Sequence, residues 1–182
     1  MKKKIAILGS TGSIGKTLFN LILREKKNFE FSLLTAHKSH KILLKQAKAL
    51  NVKNLIITNK KEYEILKQKT KNSKIRVFND FTQLDKIFKK KIDYAMSSIS
   101  GIQGLEPTIK IIKFTKKIAI ANKESIICGW NLIQSQLNKH KTEFIPVDSE
   151  HFSIWYGLKN YKSKDLEKIF LTASGGPFYK TS

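Results

Sequence analysis

Four short segments carry residues whose type and spacing could do chemistry. In IPVDSEH (145–151), Asp148 and Glu150 stand two residues apart around Ser149. On extended chain that spacing is ~6.6 Å and puts both carboxylates on one face, from where they could converge on a hard divalent cation such as Mg2+ or Mn2+. Ser149 would point elsewhere and could donate to a phosphate or hydroxyl. A competing reading makes Asp148 the cap of a following helix and Glu150 a first-turn acid facing the helix dipole. Two carboxylates are too few for an all-protein metal site, so further ligands would come from substrate, water or residues beyond Ser182.

The segment LGSTGSIGKT (8–17) spaces Gly9, Gly12 and Gly15 three residues apart, after an apolar run and at the opening of an amphipathic pattern. Glycines there let backbone amides approach a pyrophosphate, whose charge the helix N-terminus also favours. The spacing is G-x-x-G-x-x-G rather than G-x-G-x-x-G. Gly15, Lys16 and Thr17 also match the end of a P-loop, but that motif requires glycine where this chain has Ser10. A plain strand-to-helix turn is the third reading.

In TAHKSH (35–40) the acid that would accept an NAD ribose hydroxyl is absent, and Lys38 is flanked by His37, Ser39 and His40. This favours the 2′-phosphate of NADP. In IAIANKES (118–125), Lys123 could hold an anionic or carbonyl oxygen, while Asn122 and Glu124 could bond a ribose; alternatively Asn122 caps a helix, with Ser125 three residues on. In LTASGGPF (171–178), Ser174 and two glycines could cradle an anion or form an ordinary turn.

These segments need a scaffold, and the apolar pattern supplies one. Strand-length runs occur at 4–8, 30–35, 54–58, 75–78, 93–97, 117–121 and 143–147. Between them, Ile14, Leu18, Leu21 and Ile22, and then Ile42, Leu43, Ala47 and Leu50, recur at helical spacing. Alternating strands and helices predict an α/β doubly wound, mainly parallel, Rossmann-like sheet over residues 1–146. Residues 147–182 would begin a second, catalytic α+β domain: a helix capped by Asp148 or Ser149, then a strand ending in the glycine turn. The polar stretch KQKTKNSK (67–74) reads as a mobile surface loop.

Composition bounds the function classes. The net charge of +21 suggests nucleic acid, but only Arg24 and Arg76 of the 35 basic residues are arginine, and the lysines are spread through every helical pattern. Solvated surface lysine is the favoured reading, with no nucleic acid as partner. No apolar run approaches the ~20 residues of a membrane span, and the N-terminus resembles neither signal nor anchor. One cysteine, Cys128, precludes an internal disulfide framework. A cytoplasmic protein is expected.

Taken in order, GSTGSIG, ANKES, PVDSEH and LTASGGPF resemble the N-terminal part of the 1-deoxy-D-xylulose 5-phosphate reductoisomerase family, across essentially all 182 residues. The resemblance implies conversion of deoxyxylulose phosphate to 2-C-methyl-D-erythritol 4-phosphate in non-mevalonate isoprenoid synthesis. It also implies use of NADPH and a divalent cation (Mg2+, Mn2+ or Co2+), and a homodimer for the full-length form. It assigns Thr11, Gly12, Ser13, Ile14, His37, Lys38, Ser39, Asn122 and Glu124 to NADPH. Lys123, Ser149, Glu150 and Ser174 would contact the phosphorylated sugar, Asp148 and Glu150 the metal, and Lys123, Asp148 and Glu150 the chemistry. The family usually has Gly-Lys-Asn where this chain has His37, Lys38 and Ser39. The chain is under half the family's usual length, so a piece that turns over poorly alone is expected. Another NADP-dependent reductase, or a basic nucleic-acid-binding module, are the alternatives.

Overall fold

A computed structural model describes residues 2–161 and 163–170 of the chain. Two compact units emerge, Met1–Ile145 and Pro146–Ser182. The first is built on strands β1 (Lys3–Leu8), β2 (Phe29–Ala36), β3 (Asn54–Ile57), β4 (Arg76–Phe78), β5 (Ile92–Ser97), β6 (Thr115–Ile120) and β7 (Glu143–Pro146). Each coincides within two residues with a run anticipated from the apolar pattern. Their order in the sheet is β4-β3-β2-β1-β5-β6-β7, and the strand pairs from β4 through to β6 are parallel.

The runs 5–8 in β1, 33–36 in β2, 55–57 in β3, 95–97 in β5 and 118–120 in β6 are buried without a break. Successive strand residues point to opposite faces, so unbroken burial requires cover on both faces. Helices α1 (Ser13–Arg24), α2 (His40–Ala49), α3 (Lys60–Thr70), α4 (Leu84–Ile87), α5 (Leu105–Ile112) and α6 (Lys123–His140) alternate with the strands and supply that cover. One core cluster joins Ala6 and Leu8 of β1 to Ile111 and Ile112 of α5, Ile118 and Ile120 of β6, and Ile133 and Leu137 of α6.

Two expectations are corrected. In α1 the buried stripe is Gly15, Phe19 and Ile22, whereas Ile14 and Leu21 are exposed. Of the anticipated stripe Ile22 is buried and Leu18 half-buried; the helix must approach the loop after β1 through Gly15, which turns Ile14 and Leu21 outward. In α2, likewise, Leu43 and Ala47 are buried and Ile42 is exposed. The stretch 67–74 is not a free loop, because α3 continues to Thr70, a buried residue whose hydroxyl donates to Leu66 O at 2.9 Å, and Ser73 Oγ donates to Thr70 O at 2.8 Å. Polar composition misled there because α3 packs through only Leu66 and Thr70 and is otherwise solvated.

The second unit contains α7 (Ser149–Gly157), capped by Asp148 as anticipated. The strand and glycine turn expected around 171–178 lie outside the described residues.

Candidate functional site

Strand order reverses between β1 and β5, since the chain builds outward from β1 to β4 and then returns to the other side of β1. In open parallel sheets the crevice beyond the carboxyl ends of the strands at such a switch point is where ligands bind. A cleft of about 700 Å³ lies there, lined by Gly9, Thr11 and Gly12 after β1, Ala36 and His37 at the end of β2, and Ser98–Ser100 after β5 among others.

The three loop glycines do different work. Gly9 has φ +80°, a left-handed conformation that glycine adopts without strain, and a Cβ on it would sit 2.8 Å from Ser98 O. A Cβ on Gly15 would come within 2.2 Å of Gly9 O and 2.7 Å of Ser10 Cα, so only glycine lets α1 close onto the loop. At Gly12, by contrast, a Cβ would meet Gly9 O at 3.4 Å and Ser98 O at 3.9 Å, ordinary contacts. Gly12 is the N-cap of α1 and lines the cleft, so the helix starts at the cleft wall and no N-cap side chain occupies its first amides. That open cradle fits a pyrophosphate.

Thr35 anchors the loop, a role not anticipated from sequence. Its hydroxyl accepts from Gly9 N at 2.9 Å and its carbonyl from Ser10 N at 2.9 Å. Ser10 is fully buried; its hydroxyl donates to Gln46 Oε1 at 2.8 Å, and Gln46 Nε2 donates back to Ser10 O at 2.8 Å. The P-loop alternative needs glycine and a phosphate-facing backbone at this position. Ser10 turned into the interior is incompatible with it. A polar residue on the buried face of α2, Gln46 beside Leu43 and Ala47, was the overlooked signal.

Of the residues assigned to the cofactor, Thr11, Gly12 and His37 line the cleft, while Ser13 and Ile14 begin α1 beside it. Lys38 is exposed, and Ser39 occupies the N-cap position of α2 without a side-chain cap. His37 Nδ1 lies 2.8 Å from Thr58 Oγ1. Across the cleft, Asp80 accepts from Thr82 Oγ1 at 2.5 Å and from Thr82 N at 2.7 Å. Those bonds, the hydroxyl's foremost, hold its carboxyl below the usual range.

Asn122 is buried and does structural work. Its Oδ1 caps α6 by accepting from Ser125 N at 2.7 Å, and its amide nitrogen donates to Gly101 O at 2.6 Å and to Ile99 O. It thereby fixes the loop after β5 that forms one wall of the cleft. Close packing of Gly104 against it reinforces this, since a Cβ there would lie 2.5 Å from Asn122 Nδ2. Both donors are consumed, so the capping alternative describes the side chain in this structure. Lys123 and Glu124 occupy the exposed first turn of α6.

In the second unit, the extended reading of Asp148 and Glu150 is corrected: only Asp148 is extended, with φ −66° and ψ 150°, and Ser149 and Glu150 already belong to α7. Asp148 Oδ1 accepts from His151 N at 3.1 Å and lies 2.6 Å from His151 Nδ1. A hydrogen-bonded cap outweighs strand continuation because it satisfies an orphan helix amide. Among the described residues no group of three metal-ligating side chains assembles. Ser174 lies outside the described residues.

Residues 5–129 match the family model for 1-deoxy-D-xylulose 5-phosphate reductoisomerase, and residues 144–182 match the model for its C-terminal domain. Over 99% of its length the chain is 59% identical to the enzyme of that name from Pelagibacter ubique (strain HTCC1062) and 41% identical to that of Wolbachia pipientis subsp. Culex pipiens, covering 47% and 46% of those proteins. It spans just under half the length of these curated relatives. Among solved structures, the Zymomonas mobilis reductoisomerase in complex with NADPH superposes with a TM-score of 0.90 at 33% identity, covering 100% of this chain and 48% of that one. A reductoisomerase in complex with NADPH, fosmidomycin and magnesium gives a TM-score of 0.85 at 27% identity, covering 99% of this chain and 47% of that one. With the switch-point cleft, the glycine loop and these matches in hand, the chain belongs to the 1-deoxy-D-xylulose 5-phosphate reductoisomerase family.

Proposed function

We propose that this chain is the NADPH-binding part, with the first catalytic residues, of an enzyme that converts 1-deoxy-D-xylulose 5-phosphate to 2-C-methyl-D-erythritol 4-phosphate in the cytoplasm. The observation that carries the proposal is the Gly12 cradle, where α1 starts without a side-chain cap at the wall of a cleft at the sheet's switch point. The NADPH seen in the Zymomonas relative supports the same ligand here. Residues 1–146 serve the nucleotide, and 147–182 open the catalytic domain.

Within that reading, first-turn backbone amides at Ser13 and Ile14 hold the pyrophosphate, and Lys38 meets the 2′-phosphate as a point charge. Thr35 and Asn122 keep the two walls of the cleft in place. Lys123 and Glu124, at the start of the helix that Asn122 caps, are assigned to the substrate and the cofactor respectively. NADPH supplies the hydride when bound, and its distance from substrate is set by this rigid seat. Asp148 and Glu150 offer hard carboxylate oxygens suited to Mg2+ or Mn2+, which supplies Lewis-acid polarisation of the substrate carbonyl. Magnesium in a related structure supports that choice. Two carboxylates leave most of the coordination to substrate, water and other parts of the protein. Ser149 and Ser174 are assigned to the phosphorylated sugar. A homodimer is the proposed state of the full-length form.

The test is to mix the 182-residue chain with deoxyxylulose phosphate, NADPH and Mg2+ or Mn2+, following NADPH absorbance and fluorescence. Saturable NADPH binding with little turnover is expected. Absence of NADPH binding overturns the proposal, and rapid methylerythritol phosphate formation overturns the claim that the chain is only a part of the catalyst.

A further inference from the structure

The connection from β2 to α2, residues 37–40, is fastened to the connection from β3 to α3 at both ends. At its start, the His37 ring lies 2.8 Å from Thr58 Oγ1, and His37 O accepts from Asn59 N at 3.0 Å. At its end, His40 Nδ1 pairs with Glu62 Oε2. His40 N also donates to Lys38 O at 2.9 Å, closing a three-residue turn. Glu62 is itself held, its amide donating to Asn59 Oδ1 at 3.1 Å in the cap of α3. Lys38 therefore opens a tight turn, with Ser39 at its apex (φ −83°, ψ 61°), and both flanks of that turn are fixed.

Packing alone does not account for the His40–Glu62 pair. His40 is only 9% exposed, and its Nε2 is buried without a hydrogen-bond partner among the described residues. A buried imidazole with an orphan nitrogen, paired to a half-buried carboxylate, stabilises a fold less than an apolar contact of similar volume would. What the pair provides is direction. A carboxylate only accepts, so His40 Nδ1 is the donor and the ring orientation is set. Glu62, once engaged, is withheld from a ribose hydroxyl.

We infer that His40 and Glu62, assisted by the His37–Thr58 contact, are positioning residues that hold Lys38 for the cofactor's 2′-phosphate and so set preference for a phosphorylated dinucleotide. The inference rests on the NADPH reading above. It is tested on the 182-residue chain by fluorescence titration with NADPH and with NADH, alongside thermal unfolding, for wild type, Glu62→Gln, His40→Gln and Thr58→Val. Glu62→Gln and His40→Gln are expected to weaken NADPH about tenfold, the scale of one charge-assisted hydrogen bond, while NADH changes less than about twofold. Thr58→Val is expected to shift the same ratio by a smaller factor, and carries the test should the buried variants fail to fold. Equal weakening of both nucleotides means a merely structural pair and overturns the inference. A wild-type preference for NADPH that all three variants leave intact overturns the inference alone; a wild type that binds neither nucleotide sinks the NADPH reading and this one with it.

Discussion

Gly12 and Gly15 stand three residues apart in one motif, yet they are expected to respond oppositely to substitution. In Gly15→Ala the new Cβ would lie 2.2 Å from Gly9 O, where ordinary contact begins at 3.4 Å. The start of α1 or the loop must retreat by roughly 1 Å, and both obstructing groups are backbone, so the strain is of the overpacking kind, about 1–3 kcal/mol. For a chain of this size that is a fall in Tm of about 3–10 °C, with weakened NADPH binding as a consequence of the moved loop. Gly12→Thr meets no such obstacle. Its φ of −75° and ψ of 177° suit a β-branched residue, and threonine caps a helix about as well as glycine. Its Tm is expected within about 2 °C of wild type, while a side chain in the cradle weakens NADPH at least tenfold, about 1.4 kcal/mol. Scanning fluorimetry and NADPH fluorescence titration read the two effects separately. A Gly15→Ala protein as stable as wild type, or a Gly12→Thr protein with undiminished NADPH affinity, would refute the division of labour.

Other expectations follow from single contacts. Asn122→Ala removes the α6 cap and unties the 99–101 loop, so Tm should fall by an amount equivalent to about 1–2 kcal/mol, and NADPH binding should weaken through the loosened wall. Asp80 has a folded pKa below its usual value near 3.8, so its contribution to stability is full above that value and lost as pH falls through the folded pKa. Thr82→Val removes the foremost cause: NMR titration should find the Asp80 carboxyl moved upward, and the stability gap between variant and wild type should be open at pH 6 and closed in strong acid. Asp148→Asn preserves a good helix cap while removing a charge, so its Tm should hold while Mn2+ affinity, read by electron paramagnetic resonance, drops about tenfold. Unaltered Mn2+ binding would leave Asp148 as a cap alone.

The sheet was legible in the sequence because its strands are short runs of apolar residues, richest in isoleucine and leucine in β1, β2, β3 and β6, and buried strands need no finer pattern. The glycine loop was legible for the same local reason. What failed was orientation. The Ile14–Leu18–Leu21 stripe of α1 is as apolar as the Gly15–Phe19–Ile22 stripe that is buried, and only the demand that a loop glycine face the strand separates them. Asn122 and Asp148 each matched both a ligand-binding pattern and a capping pattern, since one oxygen serves either purpose, and backbone dihedrals decide which helix amide it meets. The Ser10–Gln46 and His40–Glu62 contacts join residues 36 and 22 positions apart, which no local pattern encodes.

The most direct test of the account is isothermal titration of the chain with NADPH and NADH at two salt concentrations. One saturable NADPH site, tighter than for NADH and abolished or much weakened in Gly12→Thr, is the expected result. Equal affinity for the two nucleotides, or no binding by either while duplex DNA binds with steep salt dependence, would contradict it.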